Sequence, residues 1–435
     1  MFAEDNRTFL AEQAEQAEQA EQAEPGHEYA ARRSPEHALP LAARAGNQLL
    51  SDVGMKVPML PCHFRIAAAE HAALERATRL LADAQDKVLA HLCATLTADE
   101  LVTMFEVRPE MAAHVDWPAL PSSGLRMLRA DIIPTDTGYW FCELNHFSGV
   151  GGGEAYHAAH LHAEVLGRPV TGISPFRQLA LQYVTECRRA GLTRIVVLDT
   201  PEHRAQGYGQ HLLLQQYIRR MAPDIELAYH DELTYPAEWL EPGEAGRTLV
   251  HRLVTFDDTT DNGAFLVRLR ACGATLSCMF EAELKMHRRW LALLCDPAHH
   301  HLLTAEELTA IEQYVPHTAV VGPGDVDAVV ADKDRLVFKR SYLYGGKGVL
   351  AGDQHTAEEL RDLLTRDDAV WYAQRRVHAS TVDLPGPDGS PVPYHLVLGM
   401  YLYGDRTSGL VVRGAADSPV VNGSRSAGMT WAFVV

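Results

Sequence analysis

Positive charge is short in this sequence relative to negative. Lys and Arg number 39 against 57 Asp and Glu over 435 residues, a formal net charge of −18. A nucleic-acid footprint needs clustered Lys and Arg, so this balance argues against one, while leaving room for a local basic site that holds a small anion. Long apolar runs are also missing. No stretch of about eighteen apolar residues occurs, so no membrane span is expected. The start, MFAEDNRTFLAEQ, has neither a basic opening nor an apolar stretch, which points to a cytoplasmic protein without a secretory leader. Cysteines are few and unordered: seven, at 62, 93, 142, 187, 272, 278 and 295, with no CxxC pair. That excludes a disulfide framework and a zinc ribbon, and buried reduced thiols are expected. What is present in quantity is apolar residue, 47%. That excludes disorder as the main state, and the length allows two or three domains.

Residues 11–24, AEQAEQAEQAEQAE, favour helix by propensity but wind Glu and Gln around every face, so an arm over 1–60, partly disordered and stopped by Pro25 and Gly26, is expected. Residues 63–95 repeat apolar positions (Ile66, Leu74, Leu81, Val88, Leu92) at helical spacing, and a second helix follows Thr97. From 176 to about 275, PFRQLALQYVTECRRAG, RIVVLD, HLLLQQYIRRM and IELAYH alternate helix and strand patterns, the mark of a parallel α/β unit. Residues 280–315 read as helical. From 326 onward short strands and glycine turns dominate, with one helix near 356–366. The division expected is a helical segment with a hairpin at 61–175, an α/β domain at 176–278, a lobe at 279–380 and a final lobe at 381–435.

The hairpin LRADIIPTDTGYWFCELNHFSGVGGGEA carries the most chemistry. Arg129 and Asp131 share one strand face, as do Glu143 and Asn145. Folding the strands about Thr137 sets Asp131 opposite Glu143 and Arg129 opposite Asn145. Two carboxylates facing across a sheet repel. Either a shared cation offsets that cost, and two carboxylates with a carboxamide are hard oxygen donors suited to Mg²⁺, or Arg129 neutralises them on a solvated face. Ser148 and the glycines of the run ending at Glu154 can turn a hydroxyl and backbone N–H groups toward an anion, without matching a dinucleotide fingerprint.

In RLVFKRSYLYGGKGVLAG, Lys339 ends an apolar strand before a loop holding Gly345, Gly346 and Lys347. Such a lysine can hold a nucleotide phosphate, although GGKG does not fit the GxxxxGK[ST] pattern, and a plain hairpin is the alternative. Arg413 ends a strand in GLVVRG, and guanidinium suits bidentate phosphate binding. The polar turn at Asn422, Gly423 and Arg425 follows.

Together these pieces resemble a circularly permuted ATP-grasp ligase, of the kind found in the synthetase domain of glutathionylspermidine synthase, over about 125–435. The pattern R-x-D, eleven residues, E-x-N, then a serine and glycine stretch is matched by Arg129, Asp131, Glu143, Asn145 and Ser148. The resemblance implies an α/β fold with an ATP-grasp core and an inserted α/β domain. It implies that Asp131, Glu143 and Asn145 bind Mg²⁺, that Arg129 and Ser148 contact the acyl-phosphate end of the substrate, and that Lys339, the 343–348 loop as a lid and Arg413 face ATP. Trp371–Val377, with Gln374, is similar to the hinge that contacts adenine. The family's second ATP-binding lysine falls at Arg288 or at Lys285 one turn earlier, and both stay open; its second serine is replaced by Val150.

The function so implied is an ATP-dependent carboxylate–amine ligase that passes through an acyl phosphate, acting on a small carboxylate, such as an amino acid, and an amine. Dimers are common in the family. The competing readings are acyl transfer to a carrier-protein thiol, a phosphotransferase, and a catalytically inactive nucleotide-binding homologue. Other features read more plainly: His299–His301 as a loop following Asp296-Pro297, Asp257, Asp258 and Asp261 as a solvated turn with amine binding as the alternative, and Tyr342 and Tyr344 as cover for a ligand or lid packing.

Overall fold

The structure is a computed structural model. It describes Ala43, Asn47, Gln48, residues 58–60, and 64–435 except 119, 121–124, 148–149, 168, 171, 206–209, 342–347, 367–368, 386–389, 417–420 and 422–426. In chain order, strand β1 (Phe64–Ile66) leads into the long helix α1 (Ala68–Thr95), and the hairpin β2 (Met127–Thr135) and β3 (Gly138–His146) follows. Helices α2 (Glu154–Leu166) and α3 (Pro175–Ala190) precede β4 (Arg194–Leu198), helix α4 (Gln210–Met221), β5 (Glu226–His230), β6 (Thr248–Arg252), helix α5 (Ala264–Ala271) and β7 (Thr275–Leu276). Helix α6 (Arg289–Cys295) then leads to β8 (Thr318–Val321), β9 (Leu336–Arg340), β10 (Val349–Ala351) and β11 (Trp371–Arg375). The last strands are β12 (Thr381–Pro385), β13 (Pro391–Tyr403), β14 (Arg406–Ala415) and β15 (Gly428–Val434).

The strands form a mixed α/β arrangement of three sheets. A seven-stranded sheet runs β1-β15-β14-β13-β2-β3, with β12 sharing the β13 edge; a four-stranded antiparallel sheet runs β10-β9-β11-β8; a four-stranded parallel sheet runs β5-β4-β6-β7. The parallel unit falls within the stretch where helix and strand patterns alternate. Its central strands β4 and β6 are buried along their whole length, as parallel strands covered on both faces must be. Arg194, almost fully buried in β4, is tolerated because Glu226 and Glu244 pair with it at 2.7 and 2.9 Å and Trp239 lies 3.7 Å beneath its guanidinium. Helix α3 ends where Gly191 takes a left-handed conformation.

Helix α1 begins five residues later than the apolar spacing suggests, because Phe64–Ile66 is drawn into the edge of the large sheet against Ala432–Val434. The helix that follows is capped by Thr97, whose side chain accepts from Glu100 N while Glu100 reaches back. The 280–315 stretch is not continuous α-helix: Phe280–Met286 is a 3₁₀ turn, α6 follows, and Pro297–Leu302, which carries His299–His301, is 3₁₀ again. Near the end, strands are longer than expected, with thirteen residues in β13. No helix among the described residues is long and apolar enough to cross a membrane.

Candidate active site

The hairpin register places Asp131 opposite Glu143 and Arg129 opposite Asn145. The turn itself is tighter than the sequence suggests. Thr135 pairs with Gly138, and the register slips between Asp131 and Ile132, leaving Cys142 as a bulge. That extra residue decides which side chains face where. Glu143 stays beside Asp131 on the open face, while Phe141 crosses into the core opposite Ile132, fully buried against Tyr314.

Above this face lies a cavity of about 720 Å³. Its walls come from β2 and β3, from the β13–β14 part of the large sheet, from β9 to β11 of the small sheet, from the start of α6, and from the turn after β6. Arg129, Asp131, Glu143, Asn145, Arg288, Lys339, Gln374 and Arg413 all line it. Lys285 does not. Its ammonium is buried and paired with Asp86 of α1 at 3.1 Å. Arg288 takes the cavity position, steadied by donating from Nη1 to the carbonyl of Arg340 at 2.6 Å. Ser148, Gly345, Gly346, Lys347, Tyr342, Tyr344, the Asn422–Arg425 turn and the 11–24 repeat lie outside the described residues.

Asp131 is the electrostatic centre. Arg129 donates from Nε to its Oδ1 at 2.9 Å, and Arg413 pairs with its Oδ2 at 2.7 Å. Burial alone would raise this carboxyl, but the two guanidiniums hold it near 2. Arg129 is itself buried, yet the Asp131 charge keeps it firmly protonated. Its Nη1 donates to Gly151 O at 2.7 Å, and Tyr401 Oη donates to the same carbonyl at 2.9 Å, so the glycine stretch is tied down beside Arg129 and its register partner Tyr401. Gly399, opposite Asp131 in β13, makes the room. A Cβ there would meet Val411 Cγ1 at 2.7 Å and Arg129 Cδ at 2.8 Å. Arg413 Nε and Nη2 are buried and make no hydrogen bond among the described residues, so Nη2 is held to Asp131 by the ion pair alone.

Glu143 makes no hydrogen bond or ion pair among the described residues and lines the cavity. Asn145 Nδ2 donates to Arg129 O at 3.3 Å, which leaves its carbonyl oxygen for the open face. Two carboxylates and a carboxamide on neighbouring register positions suit a hard divalent cation by donor chemistry. Among the described residues no group of three or more His, Cys, Asp or Glu side chains is arranged to hold a metal, neither at this hairpin, where the third oxygen donor is an Asn, nor at His299–His301.

Lys339 reaches across from the small sheet, donating from Nζ to Cys142 O at 3.0 Å. Gln374 is spent on its own sheet, donating to Thr318 Oγ1 at 2.9 Å. The acidic turn is exposed and also lines the cavity edge: Asp258 accepts from Thr255 N at 2.8 Å, and Asp257 pairs with Arg108. Sequence reasoning missed Gly399 and Tyr401, whose one signal is a glycine interrupting an apolar strand. It also missed His287, His378 and His395, which line the cavity and carry no local motif.

A solved glutathione synthetase-like effector from Globodera pallida superposes with a TM-score of 0.62 over 93% of this chain and 98% of its own, at 11% identity. The fold is glutathione synthetase-like. A candidate gamma-glutamylcysteine synthetase from Methylobacillus flagellatus superposes at 0.42 over 80% and 86%, at 10% identity, too loosely to build on. No family model and no curated protein matches the sequence.

Proposed function

We propose that the chain is an ATP-dependent carboxylate–amine ligase of the circularly permuted ATP-grasp type. The observation that carries this reading is the convergence, in one cavity, of cationic groups from separate elements (Arg129, Arg288, Lys339, Arg413) with the hairpin oxygens of Asp131, Glu143 and Asn145. The glutathione synthetase-like fold is consistent with it.

In this reading ATP lies between the small sheet and the large one. Lys339 and Arg288 hold its phosphates, and the Trp371–Val377 segment lies against the base. Arg413 and Arg129 stand over the face where the γ-phosphate is transferred and offset the charge that builds there. The substrate carboxylate attacks the γ-phosphorus, the bond to the β-γ bridging oxygen breaks, and ADP leaves. An amine then attacks the acyl carbon, loses a proton, and expels phosphate to give the amide. Asp131, Glu143 and Asn145 would hold Mg²⁺, which would supply charge neutralisation for the phosphates when bound. No side-chain nucleophile is required. Positioning and charge supply the rate.

The test is ADP release from Mg-ATP against a panel of amino acids, with and without hydroxylamine, which captures an acyl phosphate as a hydroxamate. A carboxylate that yields both ADP and hydroxamate supports the ligase and names the donor. A phosphorylated product that hydroxylamine does not capture would replace it with a phosphotransferase. ATP binding with no ADP from any acid and acceptor pair, carrier-protein thiols included, would replace it with a nucleotide-binding protein.

A further inference from the structure

The arginines that would receive phosphate and the aspartate that would receive a cation are bound to each other. Arg413 Nη2 sits 2.7 Å from Asp131 Oδ2, and Arg129 occupies Oδ1 at 2.9 Å while its Nη2 lies 3.4 Å from Oδ2. The Asp131 and Arg413 side chains are 8% and 13% exposed, so the pair is shielded and neither charge can simply turn to water. Arg413 lies on β14 opposite Val397, and it reaches Asp131 on β2 across β13. Gly399 lies in β13 between Asp131 and Val411, and having no side chain of its own it lets the Arg129 and Val411 side chains close over it.

We propose that Arg413 is the resting counter-ion of Asp131, so that nucleotide and divalent cation bind as a mutually dependent pair. This rests on the ligase reading for the identity of the nucleotide. A cation arriving alone meets Glu143 and Asn145 but finds Asp131 already neutralised. A triphosphate arriving alone draws Arg413 away from a buried carboxylate, which is then left with Arg129 alone where it rests between two guanidiniums. When both arrive, Arg413 passes to phosphate as Asp131 passes to the cation, and every charge stays paired. By linkage, each ligand then raises the affinity of the other by the same factor.

Phosphate oxygens chelate cations anyway, so cooperativity in the wild type is not the decisive result. The decisive results come from one ligand at a time. Mn²⁺ binding to the full chain is measured by electron paramagnetic resonance without nucleotide, and binding of β,γ-methylene-ATP is measured calorimetrically in EDTA. Arg413→Gln is expected to tighten Mn²⁺ alone by about tenfold, inside the range usual for coupled sites. Asp131→Asn is expected to tighten the nucleotide in EDTA by a similar factor. Removing one charge thus improves the site for the opposite ligand, which a merely structural pair does not do. Unchanged or weakened affinities in both variants overturn the proposal. If Arg413→Gln does not fold, the Asp131→Asn measurement decides alone. If the wild type binds no nucleotide with or without Mn²⁺, the ligase reading falls, and the Mn²⁺ measurement on Arg413→Gln still decides whether the pair gates the cation.

Discussion

Glu154 opens helix α2 and is 1% exposed, with neither carboxyl oxygen hydrogen-bonded among the described residues. Burial raises its pKa from the ordinary 4.5 to about 7, and the nearby amides of Glu154 and Gly152 and the Arg129 charge pull back only in part. Between those two values the folded protein binds a proton that the unfolded chain has released, so stability falls as pH rises. Each tenfold change in proton activity is worth about 1.4 kcal/mol, which makes the loss about 3 kcal/mol between pH 4.5 and 7. Glu154→Gln removes the ionisation and keeps the volume. Gln brings its own packing cost, but that cost is the same at every pH. The melting temperature of Glu154→Gln minus that of the wild type should therefore rise between pH 5 and pH 8, by about 3 °C for a chain of this length. Differential scanning fluorimetry across that range measures it, with other titrating groups cancelling in the difference. A difference flat from pH 5 to 8 would refute the argument that this carboxyl is buried without adequate partners.

Three further outcomes follow from the geometry. Gly399→Ala forces its Cβ onto Val411 and the Arg129 side chain, and is expected to cost about 1–3 kcal/mol and most of the turnover, read by thermal melting and ADP release. Arg288→Ala should weaken nucleotide binding with little change in melting temperature, whereas Lys285→Met should lower the melting temperature by breaking its Asp86 pair, at about 1–3 kcal/mol, while sparing nucleotide affinity; the reverse pattern would return the phosphate role to Lys285. The Cys142 thiol is pushed up to about 12 by burial and donates to Asp131 O at 3.3 Å, so it should stay unalkylated by iodoacetamide at pH 8 in the folded protein, as peptide mass spectrometry would show.

The hairpin was legible because strand faces repeat every second residue and a turn lay between two polar pairs; only the bulge at Cys142 escaped, since nothing local marks which residue will be skipped. The choice between Lys285 and Arg288 was not legible. One-turn spacing implies a common face only on a continuous α-helix, and here a 3₁₀ turn ends between them, so Lys285 turns toward α1 and Arg288 toward the cavity. The Asp131–Arg413 contact was out of reach for a different reason. It exists only because β13 lies between β2 and β14, an order that no local pattern encodes. The strand pattern of β4 was readable because burial on both faces selects a continuous apolar run, and that of β5, a half-buried edge strand, from its place in the helix and strand alternation, whereas β6 and β7 were passed over; in β6 the apolar run is interrupted by His251 and Arg252.

The large sheet joins residues far apart in sequence: Leu398 pairs with Ile132, and Ala432 with Phe64. The parallel sheet between them pairs only within 194–276. During synthesis the inner unit can therefore close early, while β2 and β3 wait with one edge open until β13 emerges. Loop closure over that distance is slow, and an unpaired apolar strand is an aggregation template in the interval. The carboxylates of the site thus sit on the last-completed sheet of the molecule, and refolding experiments should see the parallel unit gain protection before Asp131 finds its arginine.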